Sequence, residues 1–301
     1  MRRGLLVYNP TAGQRDLRAP MSALIDRMRG RGLELVNAPT TQPGDATDIV
    51  RAFLPKEPDV VAALGGDGTI SEVACGLIGS RVPLAVLPGG TSNVLARELS
   101  IPADFDRAAE LLVDGKPLDL VAYLANDRPF LLWAGVGLDA RIMGNMSLFW
   151  KRHLGRSGIF FTVLPEFLKY EFPRLEVDVD GITHEATFAV VSHVRHWGGD
   201  WVLAPGADAR KDEVEVVLFT GRSRYDFFRL FYQIKAARGG HLDLGIARSV
   251  RGREVTVRSL EPYAVEVQVD GDCVLETPIH CRPSGQTIRV LVPDGENPTV
   301  S

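Results

Sequence analysis

Residues 59–77 read DVVAALGGDGTISEVACGL, and this stretch decides the fold of the first part of the chain. Its apolar run after Asp59, from Val60 to Leu64, is typical of a buried strand, two glycines end the run, and a helix-like apolar period follows almost at once. Glycines let the backbone approach a ligand closely, and the free amides at the start of a helix favour an anion. The stretch therefore predicts a strand, a tight loop and a helix start that together suit a bound phosphate.

Asp67 is unexpected inside such a phosphate cradle, because a carboxylate repels an anionic ligand. Three explanations stay open: the carboxylate bridges through a metal ion, it meets a proton-donating group, or it turns away to cap the helix. A plain turn with capping chemistry at Thr69, Ser71 and Glu72 also fits, since a short glycine motif is a weak signal when it stands alone. The rest of the chain must decide.

The composition is that of a globular protein, with 45% hydrophobic and 24% charged residues. A length of 301 residues favours two domains, and a formal charge of −4 argues against a dedicated nucleic-acid binder. The first apolar run ends at Asn9-Pro10, too early for a signal peptide, and no apolar span approaches the roughly 20 residues of a membrane helix. Three cysteines without metal-ligand spacing fit a reducing compartment, so we expect a cytoplasmic protein.

Four strand-like runs in the first 120 residues each lead into a loop that carries Gly or Thr, and then into a helix. They end at Tyr8, Ala38, Leu64 and Leu87. This order is typical of parallel strands with helical crossovers, so we predict a three-layer α/β domain over residues 1–120. Its strand-end loops should gather along one edge of the sheet, where such folds bind ligands.

The pattern changes near residue 120, where the predicted elements become mainly strands. Residues 175–180 and 265–269 alternate between apolar and polar side chains, which is typical of antiparallel strands with one solvated face. We predict a β-sandwich-like domain over residues 121–301, with helical segments at 144–168 and 224–238, and the last strand is a candidate to return to the first domain. The predicted strands are 118–124, 129–136, 175–180, 187–192, 213–219, 255–258, 264–269 and 288–292.

Three glycine loops, in this order and spacing, resemble the catalytic domain of the diacylglycerol kinase and sphingosine kinase superfamily, in particular its compact bacterial lipid kinases. The loops are Asn9–Gly13, Gly65–Glu72 and Pro88–Asn93, and the likeness continues through Gly135–Asp139 and Asp270–Asp272. It covers nearly the whole chain. The resemblance implies an α/β nucleotide-binding domain followed by a β-sandwich domain, and an ATP-dependent lipid kinase that acts on a hydroxyl of a diacylglycerol-like or sphingoid lipid.

The resemblance also implies an ATP site at the strand-end loops. No Lys follows the glycines, so this is not the P-loop pattern, and the phosphate charge must be neutralised by a metal or by basic residues elsewhere. A catalytic Mg²⁺ that accompanies ATP is expected, with Asp67 as a candidate contact. The residues implied for ATP are Asn9, Pro10, Thr11, Ala12, Gly13, Thr40, Gly66, Asp67, Gly68, Thr69, Ile70, Ser71, Glu72 and Thr91.

The general base must be a carboxylate that accepts a proton from the lipid hydroxyl. The family carries Asp-Gly-Glu at the position where this chain has Asp270-Gly271-Asp272. The resemblance places the base at Asp272, whose side chain is one methylene shorter than the family's Glu, with Asp270 as the alternative. The same three residues also predict a hairpin turn.

A structural magnesium site is the second feature that the resemblance implies. Asp212 matches the family's metal-binding Asp, with Ala209 and Val214 as the neighbouring positions. Glu213 replaces a family glycine, and because that glycine is a candidate for a positive φ, the change counts against the site.

The implied partners are ATP and a lipid presented by a membrane surface, with peripheral and transient membrane contact and no nucleic acid. A basic cluster at residues 151–156 and aromatic stretches at 148–150 and 159–164 are candidates for that contact. A solvated helix face is the more common origin of such a cluster, and core packing is the more common origin of such stretches. Two other functions stay open. One is an NAD kinase-like enzyme, which shares the Gly-Gly-Asp-Gly signature; the other is a catalytically impaired regulatory protein that binds a nucleotide or a lipid.

Overall fold

A computed structural model describes residues 1–10, 18–144, 168–236 and 240–295. The chain forms two compact units. The first consists of Met1–Ala122 together with Gly285–Ser301, and the second is Tyr123–Ser284. The end of the chain therefore belongs to the same unit as its beginning.

The described residues form helices and strands with the following bounds. The helices are α1 (Arg18–Gly30), α2 (Asp45–Phe53), α3 (Asp67–Leu77), α4 (Val94–Glu98), α5 (Phe105–Asp114), α6 (Leu138–Gly144) and α7 (Arg224–Ala236), with 3₁₀ turns at Leu54–Lys56 and Gly240–Leu244. The strands are β1 (Arg2–Tyr8), β2 (Leu33–Pro39), β3 (Val60–Gly65), β4 (Leu84–Pro88), β5 (Lys116–Ala125), β6 (Arg128–Phe130), β7 (Trp133–Val136), β8 (Leu175–Val179), β9 (Ile182–Ala186), β10 (Phe188–Ser192), β11 (His196–Trp197), β12 (Trp201–Val202), β13 (Val214–Phe219), β14 (Ala247–Gly252), β15 (Val255–Ser259), β16 (Glu266–Val269), β17 (Asp272–Glu276) and β18 (Ile279–Val292).

The first unit is built on a parallel sheet in the order β2-β1-β3-β4, and the end of β18 extends it through Val290 beside Leu84. Strand β3 is buried at every residue, as expected for a strand that is covered on both faces. Helices α2 and α3 pack on each other, and α1 is joined to α5 by an ion pair between Arg27 and Asp106 at 2.9 Å. Because crossovers between parallel strands are right-handed, the two helix pairs cover opposite faces of the sheet, which gives three layers.

The strand order creates a switch point between β1 and β3. The connection after β1 leads to β2 on one side, and the connection after β3 leads to β4 on the other side. Open α/β sheets bind ligands in the crevice that opens where two such connections diverge, at the carboxyl ends of the strands. In this chain the two strands end at Tyr8 and Gly65, directly before the first two glycine loops.

The second unit is antiparallel. One sheet has the order β14-β13-β10-β7-β16-β17, and elsewhere β15 pairs with β8 and with the first half of β18. In β8 the side chains of Leu175, Val177 and Val179 are buried and alternate with half-exposed Glu176 and Asp178. This is the predicted pattern of a strand with one solvated face.

The predicted fold class is confirmed: an α/β unit with a parallel sheet precedes an antiparallel, β-sandwich-like unit. The helix predicted at 224–238 is present as α7, whereas most of the one predicted at 144–168 lies outside the described residues. Strand β18 begins at Ile279, nine residues before the predicted start at 288. Its first half contains Arg282, Pro283 and Gly285, and these polar and strand-breaking residue types hide the strand in the sequence.

Candidate active site

The loop after β3 has the geometry of an anion cradle at the start of α3. A Cβ atom added to Gly65 would lie 2.8 Å from the Cβ of Thr69, so close packing requires glycine there. A Cβ added to Gly68 would meet no protein atom within 4 Å, and Gly68 is exposed. Gly68 is the second residue of α3, where the amides have no acceptor inside the helix. The protein's own packing therefore does not explain glycine at 68, and its missing side chain leaves room for an anion to approach the free amides of α3.

The loop after β4 packs directly on the loop after β3. The amide of Gly89 donates to the carbonyl of Gly65 at 2.8 Å. A Cβ on Gly90 would lie 2.5 Å from the Cα of Gly66, a backbone atom that cannot move aside independently. The Asn93 side chain closes the second loop through hydrogen bonds in both directions with the backbone of Gly90, each 2.9 Å long. Two of the predicted glycine loops are therefore packed against each other and form one platform.

The carboxylate of Asp67 faces the backbone of the second loop. Its Oδ1 accepts a hydrogen bond from the amide of Val94 at 2.6 Å, at the first residue of α4. Burial raises the pKa of Asp67, while hydrogen bonds from the amides of Val94, Asn93 and Leu95 act in the opposite direction. Of the three explanations for Asp67, the structure has helix capping, although the capped helix is α4 rather than α3. The side chain thus holds the two loops together.

Glu72 has a comparable structural role within the predicted ATP set. Its two carboxylate oxygens accept hydrogen bonds from the amides of Gly44 at 2.9 Å and Ala46 at 3.2 Å, at the start of α2. A carboxylate is favoured at a helix N-terminus because it satisfies free amides and opposes the helix dipole. Glu72 therefore ties α3 to α2.

The remaining predicted nucleotide residues are distributed along the same strand ends. The amide of Asn9 donates to Leu64 at 3.3 Å, and the amide of Thr40 donates to Tyr8 at 2.9 Å, so the ends of β1, β2 and β3 are held together. Thr91 is exposed, and Ile70 is buried. Thr11, Ala12 and Gly13 lie outside the described residues.

In the second unit, Asp270 and Gly271 form the two-residue turn between β16 and β17. Their φ angles are +50° and +96°, and the residues on either side, Val269 and Asp272, are paired. Two positive φ angles are typical of a hairpin turn that matches the twist of its strands. The hairpin predicted from the sequence is therefore present.

Asp270 is buried, with 8% of its surface exposed, and its carboxylate binds a neighbouring backbone segment. Oδ2 accepts from the amide of Leu131 at 3.0 Å, and Oδ1 accepts from Leu132 at 2.9 Å and Trp133 at 3.2 Å. These donors occupy the carboxylate on both oxygens. Asp270 thus anchors the turn and is poorly placed to take a proton from a substrate.

Asp272 differs from Asp270 in its surroundings, because its side chain is 59% exposed. Its Oδ2 pairs with the guanidinium of Arg128 at 2.9 Å. The exposed carboxylate lies at the first residue of β17, directly after the anchored turn. Nothing in the sequence motif pointed to Arg128, which lies 144 residues away in the chain.

A network of buried hydrogen bonds also supports the Asp270–Gly271 turn. The Asp139 carboxylate accepts from the indole nitrogen of Trp133 at 3.1 Å and from the side-chain amide of Gln268 at 2.6 Å. The side-chain oxygen of Gln268 accepts in turn from the amide of Gly271 at 2.7 Å. Burial raises the pKa of Asp139 to about 6, although its hydrogen bonds act in the opposite direction and lower the pKa. Gln268 was missed in the sequence because it stands in an ordinary strand alternation.

At the position predicted for a structural magnesium ion, the structure gives Asp212 a cationic partner. Asp212 is exposed and pairs with the guanidinium of Arg253 at 3.0 Å, and Lys211 pairs with Glu213 at 3.6 Å. Across the described ranges, no cluster of three or more His, Cys, Asp or Glu side chains is arranged to hold a metal. Ala209 and Val214 are buried, with Val214 at the start of β13. A cationic side chain thus neutralises Asp212, and no step below depends on this site.

The fold and these loops define a class: proteins in which a parallel α/β unit carries glycine loops at the ends of its strands and is followed by a β-sandwich-like unit. The family model of the diacylglycerol kinase catalytic domain matches residues 3–122. The family model of the YegS C-terminal NAD kinase beta sandwich-like domain matches residues 134–292. The chain therefore belongs to the diacylglycerol kinase/YegS family of lipid kinases.

Individual relatives agree with this family. A diacylglycerol kinase of Mycobacterium tuberculosis is 27% identical over 295 residues, covering 95% of this chain and 93% of that protein. A Pseudomonas aeruginosa protein named "Probable lipid kinase YegS-like" is 33% identical over 208 residues, covering 67% of each chain. A crystal structure of a diacylglycerol kinase from Bacillus anthracis has the same fold, with a TM-score of 0.73 at 21% identity over 97% of both chains.

Proposed function

We propose that this lipid kinase transfers the γ-phosphate of ATP to a hydroxyl of a diacylglycerol-like or sphingoid lipid. The observation that carries the proposal is Gly68, a glycine at the start of α3 that neither packing nor backbone strain requires. The names of its relatives support diacylglycerol as the type of acceptor, since the proteins of Mycobacterium tuberculosis and Bacillus subtilis are both named diacylglycerol kinase.

The donor site in this proposal is the platform of the two glycine loops in the first unit. The amides at the start of α3 would bind the phosphates, and glycine at 68 would let them approach the backbone. The substrate would be Mg-ATP, whose metal ion neutralises part of the phosphate charge. Asp67 would act by fixing the second loop, because its carboxylate already binds the amide of Val94.

Asp272 is the proposed general base. Its carboxylate would take the proton of the lipid hydroxyl while that oxygen attacks the γ-phosphorus, and the bond from the γ-phosphorus to the bridging oxygen of ADP would break. The products would be a phosphorylated lipid and ADP. Exposure favours Asp272 over Asp270, whose carboxylate is buried and bonded to three backbone amides.

The test is the transfer of labelled γ-phosphate from Mg-ATP to a panel of lipids in mixed micelles, with Asp272→Asn and Asp270→Asn compared. Asp272→Asn should lower kcat by about 10²–10⁴-fold. Its melting temperature should fall by no more than about 4 °C, because an exposed ion pair contributes roughly 0–1 kcal/mol. Asp270→Asn should lower both activity and stability, since it disturbs a carboxylate that satisfies buried amides.

Two outcomes would contradict the lipid kinase function, and a third would contradict the assignment of the base. ATP binding without any phosphorylated lipid would favour the regulatory function, and phosphorylation of NAD in a lipid-free assay would favour the NAD kinase-like one. Full activity of Asp272→Asn, with Asp270→Asn inactive but stably folded, would move the base to Asp270.

The lipid would be reached from a membrane surface, and we propose the outward face of α7 for that contact. Within the ranges that the structure describes, no helix is long and apolar enough to cross a bilayer. Tyr225 and Tyr232 are 71% and 70% exposed, Phe228 between them is 52% exposed, and the guanidinium of Arg229 lies 5.8 Å from the ring centre of Tyr225. Tyrosines beside a cation suit the headgroup region of a bilayer. The opposite face of α7 is buried through Phe227, Leu230 and Ile234.

A further inference from the structure

Gln268 is the central residue of the buried system behind the hairpin turn. It is fully buried, and both the nitrogen and the oxygen of its side-chain amide make a hydrogen bond. The nitrogen donates to Asp139 at 2.6 Å, and the oxygen accepts from the amide of Gly271 at 2.7 Å. Rotating the amide by 180° would place two donors opposite each other and an oxygen against a carboxylate, so only one orientation is compatible with both partners.

Asp139 fixes that orientation and is itself held from a second direction. Its Oδ2 also accepts from the indole nitrogen of Trp133 at 3.1 Å, and only 4% of its surface is exposed. Gly135 makes room for it, since a Cβ there would overlap the carboxylate. The spacing of Gly135 and Asp139 therefore serves to place a buried acceptor beneath β16.

The turn is thus attached at two successive residues. Asp270 is bonded through its carboxylate to the backbone of residues 131–133, and Gly271 is bonded through its amide to Gln268. The next residue is Asp272, whose exposed side chain pairs with Arg128. The two residues before it fix the backbone position from which that side chain extends.

We propose that Asp139 and Gln268 are positioning residues, which hold the Asp270–Gly271 turn through consecutive hydrogen bonds so that the Asp272 carboxylate meets the acceptor hydroxyl in the reactive geometry. The inference rests on the proposed function of Asp272 as the base. Neither positioning residue touches the reacting atoms. Both act through the amide of Gly271.

The test uses Gln268→Leu in the full chain, with Thr277→Val as the matched control. Thr277 is a buried residue flanking the same hairpin at the end opposite the turn, where its hydroxyl accepts from the amide of Val265 at 2.9 Å. Both variants lose a buried hydrogen bond to a backbone amide, so both should lower the melting temperature. Gln268→Leu alone should lower kcat, on the order of 10²-fold, with KM for ATP unchanged, because a small misplacement of a reactive group costs about that factor.

A second measurement follows the turn itself by hydrogen–deuterium exchange of the peptide around Gly271. We expect faster exchange in Gln268→Leu and native exchange in Thr277→Val. Asp139→Asn keeps an acceptor oxygen for both donors and should retain kcat within about three-fold of native, whereas Asp139→Leu should resemble Gln268→Leu.

Equal loss of kcat in Gln268→Leu and Thr277→Val would overturn the inference, because it would reduce the role of Gln268 to stability. Native exchange and native kcat in Gln268→Leu would overturn it as well. Failure of the proposed lipid kinase function can be distinguished from failure of this inference. In the former case the native protein itself would phosphorylate no lipid in the same assay.

Discussion

Replacing Gly68 with alanine adds one methyl group, which we expect to stabilise the fold and to weaken nucleotide binding. Gly68 is the second residue of α3, and the added Cβ would meet no protein atom within 4 Å. Glycine inside a helix costs roughly 0.5–1 kcal/mol relative to alanine, so the substitution should stabilise the first unit by up to that amount. For a unit of this size, the melting temperature should rise by about 1–4 °C.

The same methyl group would stand where a phosphate approaches the amides of α3. Loss of one hydrogen bond to a charged group corresponds to about 1.5–3 kcal/mol, which would raise KM for ATP by roughly 10–150-fold. We would measure initial rates against ATP concentration and thermal unfolding on the same preparations. The expected combination is a more stable protein with a weaker donor site.

Gly90→Ala is the matched control in the neighbouring loop. Its Cβ would lie 2.5 Å from the Cα of Gly66, and such overpacking costs about 1–3 kcal/mol, so this variant should lose stability and activity together. If Gly68→Ala raised the melting temperature while leaving KM for ATP at its native value, the phosphate cradle at α3 would be refuted. A loss of stability in Gly68→Ala would contradict the packing argument itself.

Two further predictions concern the second unit. Since the folded-state pKa of Asp139 is about 6, above its ordinary 3.8, the ionised form destabilises the fold by about 3 kcal/mol, and the free energy of unfolding should fall as pH rises from about 4 to 6. Urea unfolding measured between these pH values should show that the free energy of unfolding no longer falls with pH in Asp139→Asn. If it falls in the variant as it does in the native protein, other groups cause the pH dependence. Replacing Tyr225 and Tyr232 together with serine should weaken sedimentation with vesicles of 30% phosphatidylglycerol in phosphatidylcholine about ten-fold, if the two rings contribute roughly 1.4 kcal/mol. Tyr263→Ser, at another exposed tyrosine, should bind as the native protein does, and equal weakening by all variants would exclude α7 as the contact.

Local signals predicted the outline of this protein well. The run of Val60 to Gly65 is a fully buried strand, the glycines after it end in a helix start, and Asp270-Gly271 forms the predicted hairpin turn. Each of these features depends on residues that are adjacent in the chain, so that the residue types alone carry the information. Strand β14 escaped prediction because its sequence, ARSVRG, has the charged and small residues of a loop.

By itself, the sequence determined the fold class, the loop positions and the family resemblance, because turns, helix starts and buried strands are encoded by neighbouring residues. Only the tertiary structure decided what the polar side chains do. Asp67 holds an amide 27 residues away, Gln268 holds a carboxylate 129 residues away, and Asp272 pairs with a guanidinium 144 residues away. A carboxylate or amide has the same chemistry in every sequence context, and its role depends on which partners the fold brings within about 3 Å.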